Sequence, residues 1–270
     1  MVVARGYQQD DQRVGVHGRT AASEFAQGVV GYAERGVVVD IRKGSGEPAT
    51  NNFSAVSAAV VVRAQHQDAA ILSAGHAADG AFWINDLTGQ WCGTDYYGQF
   101  PQWALTYNNG LGLKSRISSL KWEPINGLVG NFNYFVSGIQ HSPFKHAFSG
   151  ERKVRDFKES ALVNEEVNRF AEFCLRSTDL GSDVITDFLT LTYYAGNYLH
   201  KGVDECPIEQ QDTYVRLDGA LAEMMDFVEH KVGKDKVLYV LTSTGCADNQ
   251  HTNLEPYRIP TGTFNITRAK

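Results

Sequence analysis

The sequence is poor in cysteine, with only Cys92, Cys174, Cys206 and Cys246 among its 270 residues. They are too few and too widely spaced to form a disulfide scaffold, so a hydrophobic core must hold the fold. Long apolar runs are missing as well: none reaches the roughly 18 to 20 residues that a membrane-spanning helix needs. Nor is there an excess of positive charge. Lys and Arg total 25 against 31 Asp and Glu, a net charge of -6, which argues against a nucleic-acid partner. The densest basic run is Arg152, Lys153, Arg155 and Lys158, and it is interleaved with Glu151, Asp156 and Glu159. That pattern is a solvated surface segment. The N-terminus, with Gln8, Gln9, Asp10, Asp11 and Gln12, lacks the basic start and apolar stretch of a signal peptide. Internal repeats and low-complexity stretches are absent too.

What is present is a composition 43% hydrophobic and 21% charged, ordinary for a globular chain of one large or two small domains. The last third is the most clearly patterned. Asn164 is a good N-cap, followed by Glu165 and Glu166 where a helix dipole favours acids. Val167, Phe170, Ala171 and Cys174 then recur at helical spacing. After a turn over 179–183, residues 184–192 form a mostly apolar run of strand length, the mark of burial on both faces. A second helix carries Tyr214, Leu217, Leu221, Met225 and Val228 on one stripe and stops at Gly233. Residues 236–242 repeat the buried-strand pattern. Strand, helix and strand at this spacing predict two parallel strands in one sheet, with Leu217, Leu221 and Met225 packed against it.

Earlier, residues 57–63 are a valine-rich strand, and 81–85 with 90–94 predict a hairpin around Leu87, Thr88 and Gly89. Residues 36–41 suit a short strand. Residues 107–150, rich in Asn, Gly and Ser with interspersed aromatics, predict an irregular insertion packed on the sheet. Ligands of open parallel sheets bind outside the carboxyl ends of the strands. Here those ends lead into the loops 193–206 and 243–255, longer than the usual connections. A pocket is expected between them, with Tyr193, Tyr194 and Tyr198 on its rim.

Those loops also carry a resemblance. Thr190–Gly202 (Thr-Leu-Thr-Tyr-Tyr-Ala-Gly-Asn-Tyr-Leu-His-Lys-Gly), Gln211–Leu217 and Val232–Asp248 resemble the alkaline-phosphatase superfamily. The likeness is to its phosphate-irrepressible and nucleotide pyrophosphatase/phosphodiesterase-like branches. Ala69–Trp83, with Ala74-Gly75-His76, is similar to the family segment ending in Ala-Gly-His. Gly28–Tyr32 resembles the stretch after the nucleophile loop, and Tyr257–Phe264 resembles the sequence that follows the second metal motif. The resemblance implies an α/β fold, a mainly parallel sheet sandwiched by helices. It implies one domain over 1–270, truncated relative to the family, with a cap-like insertion at about 76–160. It also implies a periplasmic or cell-envelope location.

The family's chemistry uses a Thr or Ser nucleophile between two zinc ions that stabilise the attacking and leaving oxygens. The departures fall on those positions. Where the resemblance implies a ligand Asp stands Tyr193, and where it implies a ligand His stands Asn197; phenol and amide are poor zinc ligands. Thr242-Ser243-Thr244-Gly245-Cys246 replaces Thr-Ala-Asp-His-Gly, so Thr244 and Gly245 take the place of two more ligands. An ungapped count puts the nucleophile near Asp11, in a stretch, 1–19, without Ser or Thr. The Lys-x-Arg pair that holds phosphate in some branches becomes His66 and Asp68. The resemblance thus implies a pseudoenzyme: no cofactor, its zinc ligands being absent, and a binding or scaffold role with protein partners in a bacterial envelope assembly.

Other readings stand beside this one. His200, Cys206, Cys246, Asp248 and His251 share the two site loops and could build a relocated zinc site for a diverged phosphoester hydrolase. None of them has compact ligand spacing. Cys246 with His251 would suit a cysteine hydrolase only if the thiol were activated. Tyr194, Tyr198, His200, Cys246 and His251 are the candidate ligand-pocket residues. His76 is more simply structural than catalytic, and Phe82, Trp83, Trp91, Tyr96, Tyr97 and Trp103 pack a core more readily than they form a ligand platform. Cys206 and Cys246 are either two buried thiols or a bridge, which would need an oxidising compartment.

Overall fold

Valine-rich strands bury both faces, and alternation decides which core each side chain enters. A computed structural model describes residues 2–3, 36–43, 56–65, 67–76, 78–127, 134–136, 139–183, 186–201, 205–243 and 258. Strands β1 (Val2–Val3), β2 (Gly36–Lys43), β3 (Val56–Arg63), β4 (Gly80–Ile84) and β5 (Trp91–Cys92) join β10 (Thr186–Tyr194) and β11 (Val237–Ser243) in a seven-stranded sheet. Its order is β1-β11-β2-β10-β3-β4-β5. Five strands share one direction, and β2 and β5 run against them.

Helix α1 (Gln67–Ala74) packs Ala70 and Ala74 against Val61, Ala81 and Trp83 on one face of the sheet. Val60, Val62, Leu189, Leu191 and Tyr193 point the other way, into the larger core. There they meet α5 (Val163–Ser177) and α6 (Pro207–Val232). The sheet is therefore sandwiched by helices.

The strand–helix–strand unit exists with its two strands parallel, but they are not neighbours. β2 lies between β10 and β11 and runs against both, so Val39 is opposite Leu191 on one side and Leu241 on the other. The long α6 spans that extra strand. It opens with Pro207 in its first turn, where a missing N–H costs nothing. It closes at Gly233, whose φ of 102° suits glycine.

The buried seam of α6 is Leu217, Ala220, Met224 and Val228. Two sequence expectations need correcting here. Met225 and Leu221 sit half-buried at the edge of the seam, and Tyr214 is 50% exposed. The fully buried positions follow spacings of three and four residues, and a stripe drawn through 221 and 225 drifts off that face.

Asn164 is corrected as well. The helix begins at Val163, and Asn164 makes no cap. Instead its buried amide imitates a neighbouring strand: Nδ2 donates to Tyr194 O at 2.8 Å, and Tyr194 N donates to Oδ1 at 2.6 Å.

Between β5 and α5 lie α2 (Gln102–Gly110), α3 (Leu113–Arg116), α4 (Lys153–Lys158) and two small antiparallel pairs. These are β6 (Lys121–Trp122) with β9 (His146–Ala147), and β7 (Tyr134–Val136) with β8 (Ile139–His141). The segment is held by aromatic packing around Phe170. Trp91 stacks on it at 4.2 Å, and Phe82, Trp103 and Tyr107 surround it. Beneath them Glu166 is buried yet fully engaged. Trp91 Nε1 donates to its Oε1 at 2.9 Å and Tyr107 OH at 3.0 Å, and Arg116 pairs with Oε2. Among the described residues, no helix is long and apolar enough to cross a membrane.

Candidate functional site

The shared direction of β3, β10 and β11 brings their carboxyl ends to one edge of the sheet. The loop leaving β10 runs from Ala195 through a 3-10 turn, Tyr198–His200, towards the start of α6. Its geometry is governed by two tyrosines that point inwards. Tyr193 is 0% exposed and lies in the core under α5, where its hydroxyl donates to Asn168 Oδ1 at 2.6 Å. Asn168 Nδ2 in turn donates to Ala220 O at 2.7 Å, tying strand and both helices together. Burial drives the Tyr193 phenol far above its ordinary range. Tyr194 folds back, and its hydroxyl donates to Asn197 O at 2.6 Å. A Cβ on Gly196 would lie 2.8 Å from the Tyr194 hydroxyl, so this close approach requires glycine.

Asn197 uses its amide N–H to hold the loop, donating to Lys201 O at 2.8 Å. Its Oδ1 is buried without a protein partner. Leu199 sits at φ 51°, in the left-handed region that non-glycine residues rarely occupy. Gln210, on the first turn of α6, donates to Ala195 O at 3.5 Å.

Tyr198 is buried against Trp122 at 5.1 Å and His146 at 4.2 Å. Burial, then the charges of Asp156, Cys206, Glu209 and Glu159, push its phenol up to about 12. Tyr193, Tyr194 and Tyr198 were expected on a pocket rim. All three are buried instead, because each hydroxyphenyl group packs into the core cluster.

The other anticipated positions divide in two. Asp68 is exposed in the first turn of α1, and His76 is exposed with Nδ1 2.9 Å from the Tyr96 hydroxyl. Asp11, His66, Thr244, Gly245, Cys246 and His251 lie outside the described residues, and so does the side chain of His200. Cys206 is a buried free thiol at the N-cap of α6, pushed up to about 11 by burial and by Glu209. It shows no activation as a nucleophile.

At the two described positions where the resemblance implies ligands, Tyr193 and Asn197, the side chains do not fit a zinc ion. A phenol locked to Asn168 and an amide locked to the loop backbone offer no anionic or imidazole ligand. Among the described residues, no group of three or more His, Cys, Asp or Glu side chains gathers as a metal site.

Sequence reasoning missed a second cluster beside the loop. Asp212 accepts from Trp122 Nε1 and Ile125 N, each at 2.6 Å, and from Arg216 Nε at 2.7 Å. Glu209 lies 3.0 Å from His146 Nε2. The only sequence signal was that Glu209 and Asp212 fall on the inner side of α6, where carboxylates must find partners. His146 sits in a segment with no usable periodicity.

No family model matches the chain. Among curated proteins it is similar to "Alkaline phosphatase PafA" of Elizabethkingia meningoseptica, 29% identical over 209 residues, covering 73% of this chain and 38% of that protein. It is also similar to "Alkaline phosphatase PhoV" of Synechococcus elongatus, 29% identical over 189 residues, covering 64% of this chain and 34% of that protein. The crystal structure of wild-type alkaline phosphatase PafA superposes with a TM-score of 0.53 at 24% identity, covering 79% of this chain and 43% of that one. The chain thus spans well under half of the proteins it matches. Its fold is that of an alkaline phosphatase, and its homologues are consistent with membership of that superfamily.

Proposed function

From an alkaline-phosphatase fold whose site loop is held by its own side chains, we propose that this chain is a non-catalytic binding or scaffold module. The observation that carries the reading is the paired commitment of Tyr193 and Asn197. At two positions where the resemblance implies metal ligands, one side chain is bonded inside the core and the other closes its own loop. A site that has to bind and release metal-held phosphate needs those groups facing the ligand. One domain with a cap-like insertion, working with protein partners in a bacterial envelope, follows from the resemblance and belongs to the same proposal.

The second reading is a metal-dependent phosphoester hydrolase with relocated ligands. It is favoured by the names of two curated relatives, PafA and PhoV, each an alkaline phosphatase. Metal content of the purified protein, with p-nitrophenyl phosphate turnover measured with and without added zinc, separates the two. The scaffold reading expects no stoichiometric zinc and only background hydrolysis. Turnover that depends on zinc and disappears in a Cys246→Ala or His251→Ala variant would overturn it.

A further inference from the structure

His146 joins the segment between β5 and α5 to both the site loop and the N-terminus of α6. Three aromatic rings enclose it. Phe144 stacks at 5.1 Å with planes 18° apart, Tyr198 lies at 4.2 Å, and Trp122 at 5.4 Å. The box is closed by Glu209, whose Oε1 is 3.0 Å from His146 Nε2. The Glu209 side chain is only 9% exposed and that of His146 24%. Each part of the box belongs to a different element: Trp122 to β6, His146 to β9, Tyr198 to the 3-10 turn and Glu209 to α6.

We propose that His146 is a pH-responsive latch, whose imidazolium form holds the β6–β9 pair against the loop 195–201 and the start of α6. Two physical effects act in the same direction. A protonated imidazole converts the contact with the Glu209 carboxylate from a hydrogen bond with one charged partner to an ion pair with two, a stronger contact in a desolvated site. It also places a cation within about 6 Å of the ring centres of Trp122, Tyr198 and Phe144, where the ring faces attract a charge that the neutral imidazole lacks. Loss of the proton leaves Glu209 as a buried carboxylate with weaker compensation.

The surrounding charges have their own partners and do not replace the latch. On the same segment, Lys145 pairs with Glu123, which follows β6, at 2.5 Å, and Lys121 is exposed. On α6, Asp212 is matched by Arg216, and Cys206 is a protonated thiol. From α4, Asp156 and Glu159 act on Tyr198, and they lie 3.7 and 3.5 Å from Arg152 and Arg155. Glu205 and Lys201 stand near Cys206. Among these groups, Glu209 is the carboxylate in contact with the imidazole.

The loop that the latch closes is under tension. Leu199 holds a left-handed conformation that packing must maintain, since nothing local favours it. Loosening the box therefore frees the backbone between Ala195 and Lys201 first. This inference does not depend on whether the chain is catalytic.

The test uses the intact chain. The Trp122 indole N–H resonance and the hydrogen exchange of the 195–201 amides, corrected for intrinsic rates, are followed from pH 5 to 8, the interval in which imidazoles change charge. The expected result is a single titrating shift of the Trp122 signal and exchange about five- to tenfold faster at the upper end, the size of one charge-assisted contact. His146→Gln keeps a donor but cannot titrate, and should remove the pH dependence. Glu209→Gln removes the carboxylate but leaves the imidazole, and should shrink the pH dependence of the amide exchange; it serves if the first variant folds poorly. A wild-type chain without the shift, a shift that survives in His146→Gln, or an exchange profile unchanged in Glu209→Gln overturns the proposal.

Discussion

The hydroxyl of Tyr193 and the side-chain oxygen of Asn168 meet at 2.6 Å in the middle of the core, on a strand and a helix 25 residues apart in sequence. Removing the hydroxyl strands a buried acceptor. Tyr193→Phe is expected to cost about 1 to 3 kcal/mol, the usual penalty for an unsatisfied buried group, measured by urea denaturation. Tyr193→Asp restores the carboxylate that the resemblance implies at this position. It should destabilise the chain further without conferring zinc affinity, because the side chain faces α5. Stoichiometric zinc in that variant would contradict the geometry.

Alkaline stability follows from the buried phenols. Tyr107 is held up to about 12 by burial, opposed by Arg116, and Tyr198 up to about 12 by burial and nearby acids. The unfolded chain loses these protons near pH 10. The native state holds more protons than the unfolded one between about pH 10 and 12, so stability is complete below that window and falls as pH rises through it. The midpoint of urea unfolding should drop steeply there, and Tyr198→Phe should make the drop shallower.

Thr190 and Thr192 lie on the face of β10 opposite Leu189 and Leu191. Both are buried, and their hydroxyls have no protein partner. Exchanging such a hydroxyl for a methyl removes a desolvation cost at nearly equal volume. Thr190→Val is expected to be neutral or to stabilise by up to about 1 kcal/mol. A calorimetric melting temperature lowered by several degrees would show that the hydroxyl is satisfied in solution.

Two adjacent methionines on α6 provide an internal control. Met224 is 1% exposed, whereas Met225 is half-buried. Met224→Ala should cost about 2 to 5 kcal/mol, as is usual for a full truncation in a core. Met225→Ala should cost markedly less. Equal losses would move the seam of the helix.

The fold was legible where packing writes itself into period. The valine-rich β3, the β4–β5 hairpin and the run Val167, Phe170, Ala171, Cys174 were all visible, because burial on one face enforces spacing. The insertion of β2 between β10 and β11 was not. Strand order depends on which edges meet across more than a hundred residues, and no local pattern encodes that. Asn164 illustrates the other limit: its residue type suits a helix cap, yet its amide serves Tyr194, a choice made by tertiary proximity. At the site, the residue types at 193 and 197 were informative about which ligands are missing. The direction in which Tyr193 points was hidden because a run buried on both faces does not say which core a side chain enters. Trp122, Phe144, His146 and Tyr198 of the box come from short segments without periodicity.

The place of β2 has a consequence for the order in which the molecule can be assembled. Its two partners are β10 and β11, at Thr186–Tyr194 and Val237–Ser243, so during synthesis Gly36–Lys43 must wait for most of the chain to emerge. Until then a valine-rich segment has both hydrogen-bonding edges open, the condition under which nascent chains pair wrongly or aggregate. Contacts of such long range also slow folding, because the loops must close before any pairing compensates them. A chain cut short before Val237 would leave this strand half-paired. Completion of β11 is therefore the event that commits the centre of the sheet.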